Sequence, residues 1–296
     1  MNGPHTLVSG GTGFVGRFIV EHLLAAGHRV TALGRTPPPG GFFSAPVRFL
    51  KGALDPALDL GPAFEGVDFF VHAAFDHLPG KYRGGEGADP DGFRMVNVEG
   101  TATLFEAARK AEVRRIVYLS SRAVYGAQPS GSILREDTVP RPDSLYGEVK
   151  LAGERLLASF GQGTCLRATG IYGPAGPGRE HKWSSLFADY LAGRPIAPRA
   201  GTEVHGNDVA SAVRLVLEAQ PEKVAQEIFN LSDIVVDRRD LLALVRGVTG
   251  SSQPLPPPAD ASILNVMATG KLRALGWKPG GLALFEQTVR EMAAGL

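Results

Sequence analysis

Residues 6–16 of the chain read TLVSGGTGFVG, a short apolar strand that runs into a cluster of glycines. Gly11, Gly13 and Gly16 fit the spacing G-x-G-x-x-G, while Gly10, Gly13 and Gly16 fit G-x-x-G-x-x-G. Glycines at this spacing allow a tight turn, a close backbone approach to a pyrophosphate and close packing of helix on strand. The following helix would present free N–H groups to an anion. The stretch predicts a dinucleotide-binding loop; the alternative is a tight turn without a ligand.

Short apolar strands alternate with helices outward from this loop. The predicted strands are Thr6–Ser9, Arg29–Leu33, Val47–Lys51, Asp68–Ala73, Arg115–Ser120, Thr164–Arg167 and Ile228–Leu231. The predicted helices are Phe14–Ala26, Gly92–Ala111, Ser144–Phe160 and Asp208–Ala219. Strands that are apolar almost throughout are buried on both faces, and helical crossovers between them make a parallel sheet. The expected fold class is therefore α/β, a doubly wound parallel sheet of the Rossmann type.

The pattern changes after Pro174, where loops dominate around one predicted helix, about Trp183–Ala192. We expect a Rossmann dinucleotide-binding domain formed by residues 1–170 and 206–231. We expect a smaller C-terminal substrate-binding lobe formed by residues 171–205 and 232–296. Exposed loops are predicted at Pro37–Gly41 and Gly84–Gly92, where proline and glycine interrupt the regular pattern.

Composition narrows the class of protein. The 296 residues are 44% apolar and 21% charged with a formal net charge of +1, so no excess of basic residues points to a nucleic acid partner. The one cysteine, Cys165, cannot form an internal disulfide, and its apolar neighbours predict a buried core residue. The sequence contains neither a recognisable secretion signal nor an apolar run of about 18 residues, so we expect a cytoplasmic protein without membrane contact.

The end of the second predicted strand should select the cofactor. An acidic residue there would bind the ribose 2′-hydroxyl of NAD, whereas an arginine suits the 2′-phosphate of NADP. Residues 32–36 read Ala-Leu-Gly-Arg-Thr, without an acid and with Arg35. The sequence therefore favours NADP over NAD, unless Arg35 is a plain surface residue or stacks on the adenine.

A tyrosine and a lysine lie four residues apart in the helix predicted over Ser144–Phe160. This spacing places Tyr146 and Lys150 on one helical face. A tyrosine with its usual pKa of about 10 is a poor base near neutrality, and a nearby ammonium favours its phenolate. Tyr146 can then exchange a proton with a substrate oxygen. Ser121, at the end of the fifth predicted strand, can donate a hydroxyl to that oxygen.

Taken together, these motifs resemble the extended short-chain dehydrogenases/reductases of the NAD-dependent epimerase/dehydratase family. The similar segments are Gly10–Gly16, Val71–Ala74, Asn97–Thr101, Leu119–Gly126, Tyr146–Lys150, Leu166–Arg167, Ile171–Pro174, Val204–His205, Asp208–Val209, Phe229–Asn230 and Leu275–Pro279. They cover nearly the whole chain in the order expected of the family.

The resemblance implies roles for individual residues. Ser121, Tyr146 and Lys150 would be catalytic, with Lys150 also holding the nicotinamide ribose. Asn97 would line the cofactor side of the site. The implied cofactor-binding residues are Gly10, Gly13, Phe14, Val15, Gly16, Arg35, Ala73, Asn97, Tyr146 and Lys150. The resemblance also implies a homodimer formed through the helices predicted over Gly92–Ala111 and Ser144–Phe160.

The chain departs from the family's pattern at several positions. Dehydratases carry an acidic pair after the serine, where this chain has Arg122 and Ala123, so dehydration is disfavoured. Nucleotide-sugar enzymes often place an asparagine and an arginine where this chain has Gly170 and Gly201, which weakens the nucleotide-sugar interpretation. Arg179, Lys182 or Arg199 could substitute for these diphosphate contacts. The family's third strand normally ends in Gly-Asp, and Ala53 replaces that acid, which puts an adenine contact there in doubt.

Three functions follow from these residues. The first is an NAD(P)-dependent oxidoreductase that moves a hydride to or from a ketone or secondary alcohol of a sugar-like or other small polar substrate. The second is a sugar or nucleotide-sugar epimerase, an isomerase that returns the hydride to the opposite face. The third is a non-catalytic redox sensor, which retention of the serine, tyrosine and lysine argues against. The seven histidines show no metal-ligand spacing, so no metal is expected.

Overall fold

The structure is a computed structural model that describes residues 3–78, 85–161 and 163–296. Its strands are β1 (His5–Ser9), β2 (Arg29–Gly34), β3 (Arg48–Lys51), β4 (Phe69–His72), β5 (Arg115–Ser121), β6 (Ile133–Leu134), β7 (Gly163–Ala168), β8 (Gly170–Tyr172), β9 (Ala200–His205), β10 (Ile228–Leu231), β11 (Ile234–Asp237) and β12 (Val266–Met267). Its α-helices are α1 (Phe14–Ala25), α2 (Pro90–Lys110), α3 (Leu145–Ser159), α4 (Ser184–Leu191), α5 (Gly206–Glu218), α6 (Arg238–Thr249), α7 (Gly270–Ala274) and α8 (Gly281–Ala293).

A parallel sheet forms the centre of the described part of the chain. Its seven strands lie in the order β10-β7-β5-β4-β1-β2-β3, and each neighbouring pair is parallel. The prediction of a doubly wound α/β fold is confirmed. The chain reverses its direction of travel across the sheet at β1, which lies between β4 and β2. Ligands of such sheets bind in the crevice outside the carboxyl ends of the strands at this point.

Apolar layers cover both faces of the sheet. On one face, α1 and α5 pack against the strands through residues such as Ile19, Leu23 and Val213. On the other face, α2 and α3 do so through Leu104, Phe105 and Leu157. Cys165 lies buried in this second layer, and burial raises the pKa of its thiol, which confirms the expected core role.

A second, smaller sheet consists of β11, β9 and β8, with β9 parallel to β8 and antiparallel to β11. The sequence did not predict this sheet, because its strands are short and lack a continuous apolar run. A separate apolar cluster lies beside it and joins aromatic side chains from both segments assigned to the lobe. Its largest members are Tyr172, Trp183, Phe187, Tyr190 and Phe285.

Local caps set the ends of the helices that carry the site. Ser144 accepts a hydrogen bond from the Gly147 amide at 3.3 Å, so α3 begins directly before Tyr146. Asp89 caps α2, and Pro90 occupies its first turn, so this helix starts two residues earlier than predicted. Part of the predicted loop over 84–92 lies outside the described residues. Among the described helices, none combines the length and the hydropathy that a bilayer crossing requires.

Candidate active site

The glycine loop after β1 has the conformation that its sequence predicts. Gly10 adopts a φ of 72°, and a Cβ there would lie 2.8 Å from the Ala74 Cα. A Cβ on Gly16 would overlap the Gly10 carbonyl oxygen, so only glycine lets α1 approach the strand this closely. α1 begins without a side-chain cap and without an acid in its first turn. Its N-terminal N–H groups can therefore meet an anion, which fits the pyrophosphate of a dinucleotide.

One long cleft, with a volume of about 2350 Å³, runs from this loop past the end of β5 to β9 and α4. Most of the predicted site residues line it, although they come from five separate segments of the chain. Those residues are Gly10, Gly13, Phe14, Val15, Gly16, Arg35, Ala73, Ser121, Tyr146 and Lys150. Gly52, Ala53 and Asp55 also line the cleft, so the segment after β3 borders it despite the missing acid.

Asn97 differs from its predicted place, because it does not line the cleft. It is buried in α2, and its side-chain Nδ2 donates to the carbonyl oxygens of Asp76 and Phe93, each at 2.9 Å. Its Oδ1 accepts from the Asp76 amide at 2.8 Å. Asn97 therefore fixes the segment after β4 through hydrogen bonds to its backbone. We expect it to affect a bound cofactor indirectly, through the position of Asp76.

Arg35 meets an acidic residue that the sequence did not connect with it. Its Nη1 lies 2.5 Å from Oδ1 of Asp76, and both side chains are exposed to solvent and line the cleft. Arg35 follows β2 and Asp76 follows β4, so the ion pair bridges the end of β1 that lies between them. A dinucleotide on the glycine loop would lie beside this bridge.

Lys150 is buried at the centre of the cleft. Its Nζ donates to the Leu119 carbonyl oxygen at 2.9 Å and lies 4.6 Å from the centre of the Phe75 ring and 5.0 Å from that of Tyr118. Burial lowers the pKa of this ammonium to about 7, while the nearby Glu154 carboxylate partly opposes the shift. The backbone carbonyl and the two rings hold the Lys150 ammonium in one orientation.

Tyr146 and Ser121 line the same cleft as Lys150. The Tyr146 ring packs edge-on against Phe75, with 5.1 Å between the ring centres. Ser121 is the last residue of β5, and its Oγ accepts from the Ala123 amide at 3.1 Å. The structure thus brings the predicted serine, tyrosine and lysine to one wall of a single cavity.

A buried ion pair between α3 and β7 stabilises the part of the cleft that carries Lys150. Arg167 in β7 donates to both carboxylate oxygens of Glu154 in α3, at 2.9 and 2.7 Å. Ser120 donates to the same carboxylate at 2.5 Å. The two charged side chains are only 3% and 4% exposed, so their bidentate geometry joins α3 to the sheet in a dry environment. The pair also places a negative charge one helical turn beyond Lys150.

His72 illustrates a histidine with a structural role. Its Nδ1 lies 2.6 Å from the Ser9 Oγ, and its Nε2 lies 2.9 Å from the Thr101 Oγ1. Full burial, assisted by the charge of Lys150, lowers the pKa of its imidazole to about 3. A neutral imidazole thus ties β1 and β4 to α2. The described residues contain no cluster of acids, histidines or cysteines able to hold a metal.

Arg179 is a candidate cofactor-binding residue that the sequence pattern did not connect with the glycine loop. Its Nη1 donates to the Thr12 carbonyl oxygen in the glycine loop at 2.7 Å, and its guanidinium stacks over Phe42 at 5.1 Å. The contact joins residues 167 positions apart, so no local signal in the sequence could reveal it. It places a cation beside the loop that fits a pyrophosphate.

The cleft differs from the family's pattern most clearly at Gly170. A Cβ on this residue would lie 2.5 Å from Oε2 of Glu203 and 2.6 Å from Nζ of Lys182. These two side chains form an ion pair, and burial raises the pKa of the Glu203 carboxyl while Lys182 opposes the shift. The pair occupies the space in which the resemblance would place an asparagine and a substrate diphosphate.

The chain matches the sequence model described as the "NAD dependent epimerase/dehydratase family" over residues 6–232. The UDP-glucose 4-epimerase of Streptomyces lividans is 28% identical over 320 aligned positions, which cover 94% of this chain and 92% of that protein. The 3-beta-hydroxysteroid dehydrogenase of Mycolicibacterium neoaurum is 34% identical over 63% of this chain. This chain spans about half the length of that relative, since the match covers 52% of it.

Comparison with a solved structure shows that the fold is also similar to that of a nucleotide-sugar-binding protein. The structure described as MoeE5 in complex with UDP-glucuronic acid and NAD superposes with a TM-score of 0.80 and is 26% identical. The superposition covers 99% of this chain and 100% of the other. The similarity therefore includes both the central sheet and the segments around β8, β9 and β11.

Proposed function

Since the chain belongs to the NAD-dependent epimerase/dehydratase family, we propose that it uses a nicotinamide dinucleotide to oxidise a secondary alcohol or reduce a ketone. Its relatives include epimerases and dehydrogenases, so it is an enzyme of the short-chain dehydrogenase/reductase type. The substrate that we propose is sugar-like or another small polar molecule. The observation that carries the proposal is the common wall formed by Ser121, Tyr146 and Lys150 beside the glycine loop.

Each of the three residues has a distinct part in the reaction. When bound, the nicotinamide ring supplies the hydride acceptor or donor. The Tyr146 hydroxyl takes the proton from the substrate alcohol during oxidation, or returns it during reduction. The Lys150 ammonium stabilises the phenolate by its charge, and the Leu119 carbonyl holds that ammonium in place. Ser121 donates its hydroxyl to the substrate oxygen and so fixes the reacting carbon.

We propose NADP as the preferred cofactor and NAD as the alternative. The end of β2 carries Arg35 and no acid, and this guanidinium is two-thirds exposed on the cleft wall. A 2′-phosphate would take the place of the Asp76 carboxylate as the partner of Arg35, because phosphate carries more negative charge. Arg179 would hold the pyrophosphate from the opposite side of the glycine loop.

An epimerase is the second candidate, and the relative that covers most of this chain favours it. The UDP-glucose 4-epimerase of Streptomyces lividans aligns with 94% of the chain. The absence of the family's asparagine and arginine at Gly170 and Gly201 argues against a nucleotide-sugar, although the Lys182 ammonium beside Gly170 could meet a diphosphate. Mass spectrometry of nucleotide released on denaturation separates the candidates. Retained NAD favours the epimerase, whereas an empty protein that binds NADPH favours a reductase that exchanges its cofactor.

The variant Tyr146→Phe tests the proposed chemistry and also separates an enzyme from a redox sensor. Oxidation of sugar alcohols and reduction of ketoses are followed by nicotinamide absorbance, and NADPH affinity is titrated in parallel. We expect the variant to lose turnover while it keeps its affinity for NADPH. Turnover equal to that of the wild type would overturn the assignment. Tyr172→Phe is the matched control, because Tyr172 lies in the apolar cluster of the smaller sheet and not in the cleft.

We also propose that residues 171–205 and 232–296 form the substrate-binding lobe and that the protein is a homodimer through α2 and α3. The far half of the cleft is lined by residues from both segments, including Lys182, Glu203 and Arg238. The Arg94–Glu148 ion pair links the outer surfaces of α2 and α3 into one face. Light scattering during gel filtration tests the dimer, and a monomeric mass at micromolar concentration would contradict it.

A further inference from the structure

Two arginines stand close together at the far end of the cleft. Arg199 directly precedes β9, and Arg238 is the first residue of α6. The Arg238 amide donates to the Arg199 carbonyl oxygen at 2.9 Å, and both side chains line the cleft. The Arg238 guanidinium donates only to the Ala197 carbonyl oxygen, at 3.1 Å, among the contacts given by the described residues.

The acids around these arginines already have other partners. Glu203 is paired with Lys182, and Asp189 is paired with Arg194. Asp237 accepts hydrogen bonds from the backbone amides of Arg239 and Ala259, each at 2.8 Å. Within residues 3–78, 85–161 and 163–296, neither Arg199 nor Arg238 has a carboxylate oxygen within 4.0 Å.

The backbone hydrogen bond between the two arginines holds both beside the same cleft. Burial and then the charge of Arg199 lower the pKa of the Arg238 guanidinium. An oxyanion between the two guanidinium groups would offset the repulsion between their charges and accept charge-assisted hydrogen bonds from both. A neutral substrate would leave the repulsion in place.

We propose that Arg199 and Arg238 form a substrate subsite for a terminal oxyanion, a carboxylate or a phosphate. This inference rests on the proposed function, because it assigns a substrate class to the cleft in which Tyr146 acts. The subsite replaces the diphosphate contacts that Gly170 and Gly201 cannot make. The Lys182–Glu203 ion pair fills the space beside Gly170, so the anionic end of the substrate extends past it to the arginines.

The strands connect the proposed reaction centre with the arginines through a short series of contacts. Ser121 pairs with Ala168, and the next residue, Thr169, donates from its Oγ1 to the Thr202 carbonyl oxygen at 2.7 Å. From Thr202, the chain runs back three residues to Arg199, about 10 Å at the usual rise of a strand. The proposed oxyanion site is therefore separated from Ser121 by this span and by the Thr169–Thr202 contact, so the oxyanion lies at the end of the substrate away from the reacting carbon. The Lys182–Glu203 pair lies along this path and can bind the hydroxyl groups of the substrate.

Titration calorimetry tests the subsite with three probes: inorganic pyrophosphate, gluconate and UDP. Each is titrated into wild type, Arg199→Gln, Arg238→Gln and the control Arg246→Gln, which alters an exposed arginine on α6 outside the cleft lining. Saturating NADPH blocks the glycine loop, which could itself bind phosphate. We expect at least one probe to bind wild type and each cleft variant to weaken that binding at least about tenfold. The control should bind like the wild type.

The pattern of probes identifies the source of the oxyanion. Binding of gluconate alone indicates a carboxylate, and binding of pyrophosphate or UDP indicates a phosphate. Equal binding by both cleft variants and wild type would overturn the subsite, as would the absence of binding by any probe. Titration of the same proteins with NADPH and NADH keeps the two proposals apart. If wild type bound neither NADPH nor NADH, the proposed function would fail, and the anion titrations without nucleotide would still decide the subsite.

Discussion

Arg35 and Asp76 form an ion pair across the end of β1, with 2.5 Å between Nη1 and Oδ1. Asn97 fixes Asp76 through hydrogen bonds to both its amide and its carbonyl oxygen. The cofactor cleft therefore holds its own carboxylate at the place where a 2′-phosphate would bind Arg35. On the proposed NADP preference, we expect selection between NAD and NADP to depend on a competition between Asp76 and the phosphate, not on Arg35 alone.

Removal of that carboxylate should shift cofactor preference towards NADPH. Asp76→Asn keeps the side-chain shape but frees Arg35, and we expect NADPH affinity to rise about two- to fivefold, the range of an exposed ion pair. Arg35→Gln should weaken NADPH and leave NADH nearly unchanged. Fluorescence titration of both nucleotides measures the effect, with Arg94→Gln on the outer surface as the control. An equal change in the affinities for NADPH and NADH would show that the Arg35–Asp76 pair does not distinguish the 2′-phosphate from the 2′-hydroxyl.

Burial of Lys150 should make stability depend on pH. The folded lysine has its pKa lowered to about 7 from 10.5, so the unfolded chain holds the extra proton between these values. The free energy of unfolding therefore rises as pH increases through this window. Lys150→Met removes the titrating group, so its stability relative to wild type should be greatest below pH 7 and decline towards pH 10. Urea unfolding over this range measures the trend.

The exposed Lys110 provides the comparison for that experiment. Its side chain is 71% exposed, so Lys110→Met should leave the pH dependence of unfolding unchanged. A constant difference between wild type and Lys150→Met from pH 6 to 10 would mean that Lys150 titrates normally in the folded protein.

Loss of one partner of the Glu154–Arg167 pair should lower the free energy of unfolding strongly. Glu154→Gln leaves the buried Arg167 charge without its counter-ion, and the loss of such a partner costs about 3–5 kcal/mol. The double variant Glu154→Leu with Arg167→Met should lose less, because no charge remains buried. Urea unfolding compares them, with Glu106→Gln at an exposed pair as a control expected to behave like wild type. A double variant less stable than Glu154→Gln would contradict this account.

Tyr172 offers a test of an unpaired polar group. Its hydroxyl is buried without a hydrogen-bond partner in the described part of the chain, while its ring stacks on Trp183. An unsatisfied buried hydroxyl costs free energy, so Tyr172→Phe should keep the packing and leave the melting temperature equal or higher. A clear drop in melting temperature would reveal a partner for this hydroxyl in solution.

The sequence predicted the central sheet well because local signals determine it. The apolar runs and the glycines that end them gave strands within one or two residues of those observed, and the Tyr146–Lys150 spacing placed both on α3. These features depend on neighbours along the chain. They are set by strand burial, helix periodicity and glycine conformation, which the sequence displays directly.

Contacts between distant segments could not be predicted in the same way. Arg35 meets Asp76 from 41 residues away, and Arg179 reaches the glycine loop from 167 residues away. Asn97 was expected to line the cleft, yet its amide is turned towards the backbone of Asp76. The smaller sheet was missed because β8 has only three residues and β9 begins with Ala-Gly-Thr-Glu, so neither shows an apolar run of the kind that marks the central strands.

The central claim is that the glycine loop binds a nicotinamide dinucleotide, and fluorescence titration of NADPH and NADH tests it most directly. The variant Gly13→Val crowds the loop, while Gly247→Val alters a glycine with open space around it on α6. We expect saturable binding by wild type and Gly247→Val and its loss in Gly13→Val, whose fold is checked by circular dichroism. No binding of either nucleotide to wild type, or equal binding by a folded Gly13→Val, would contradict the account.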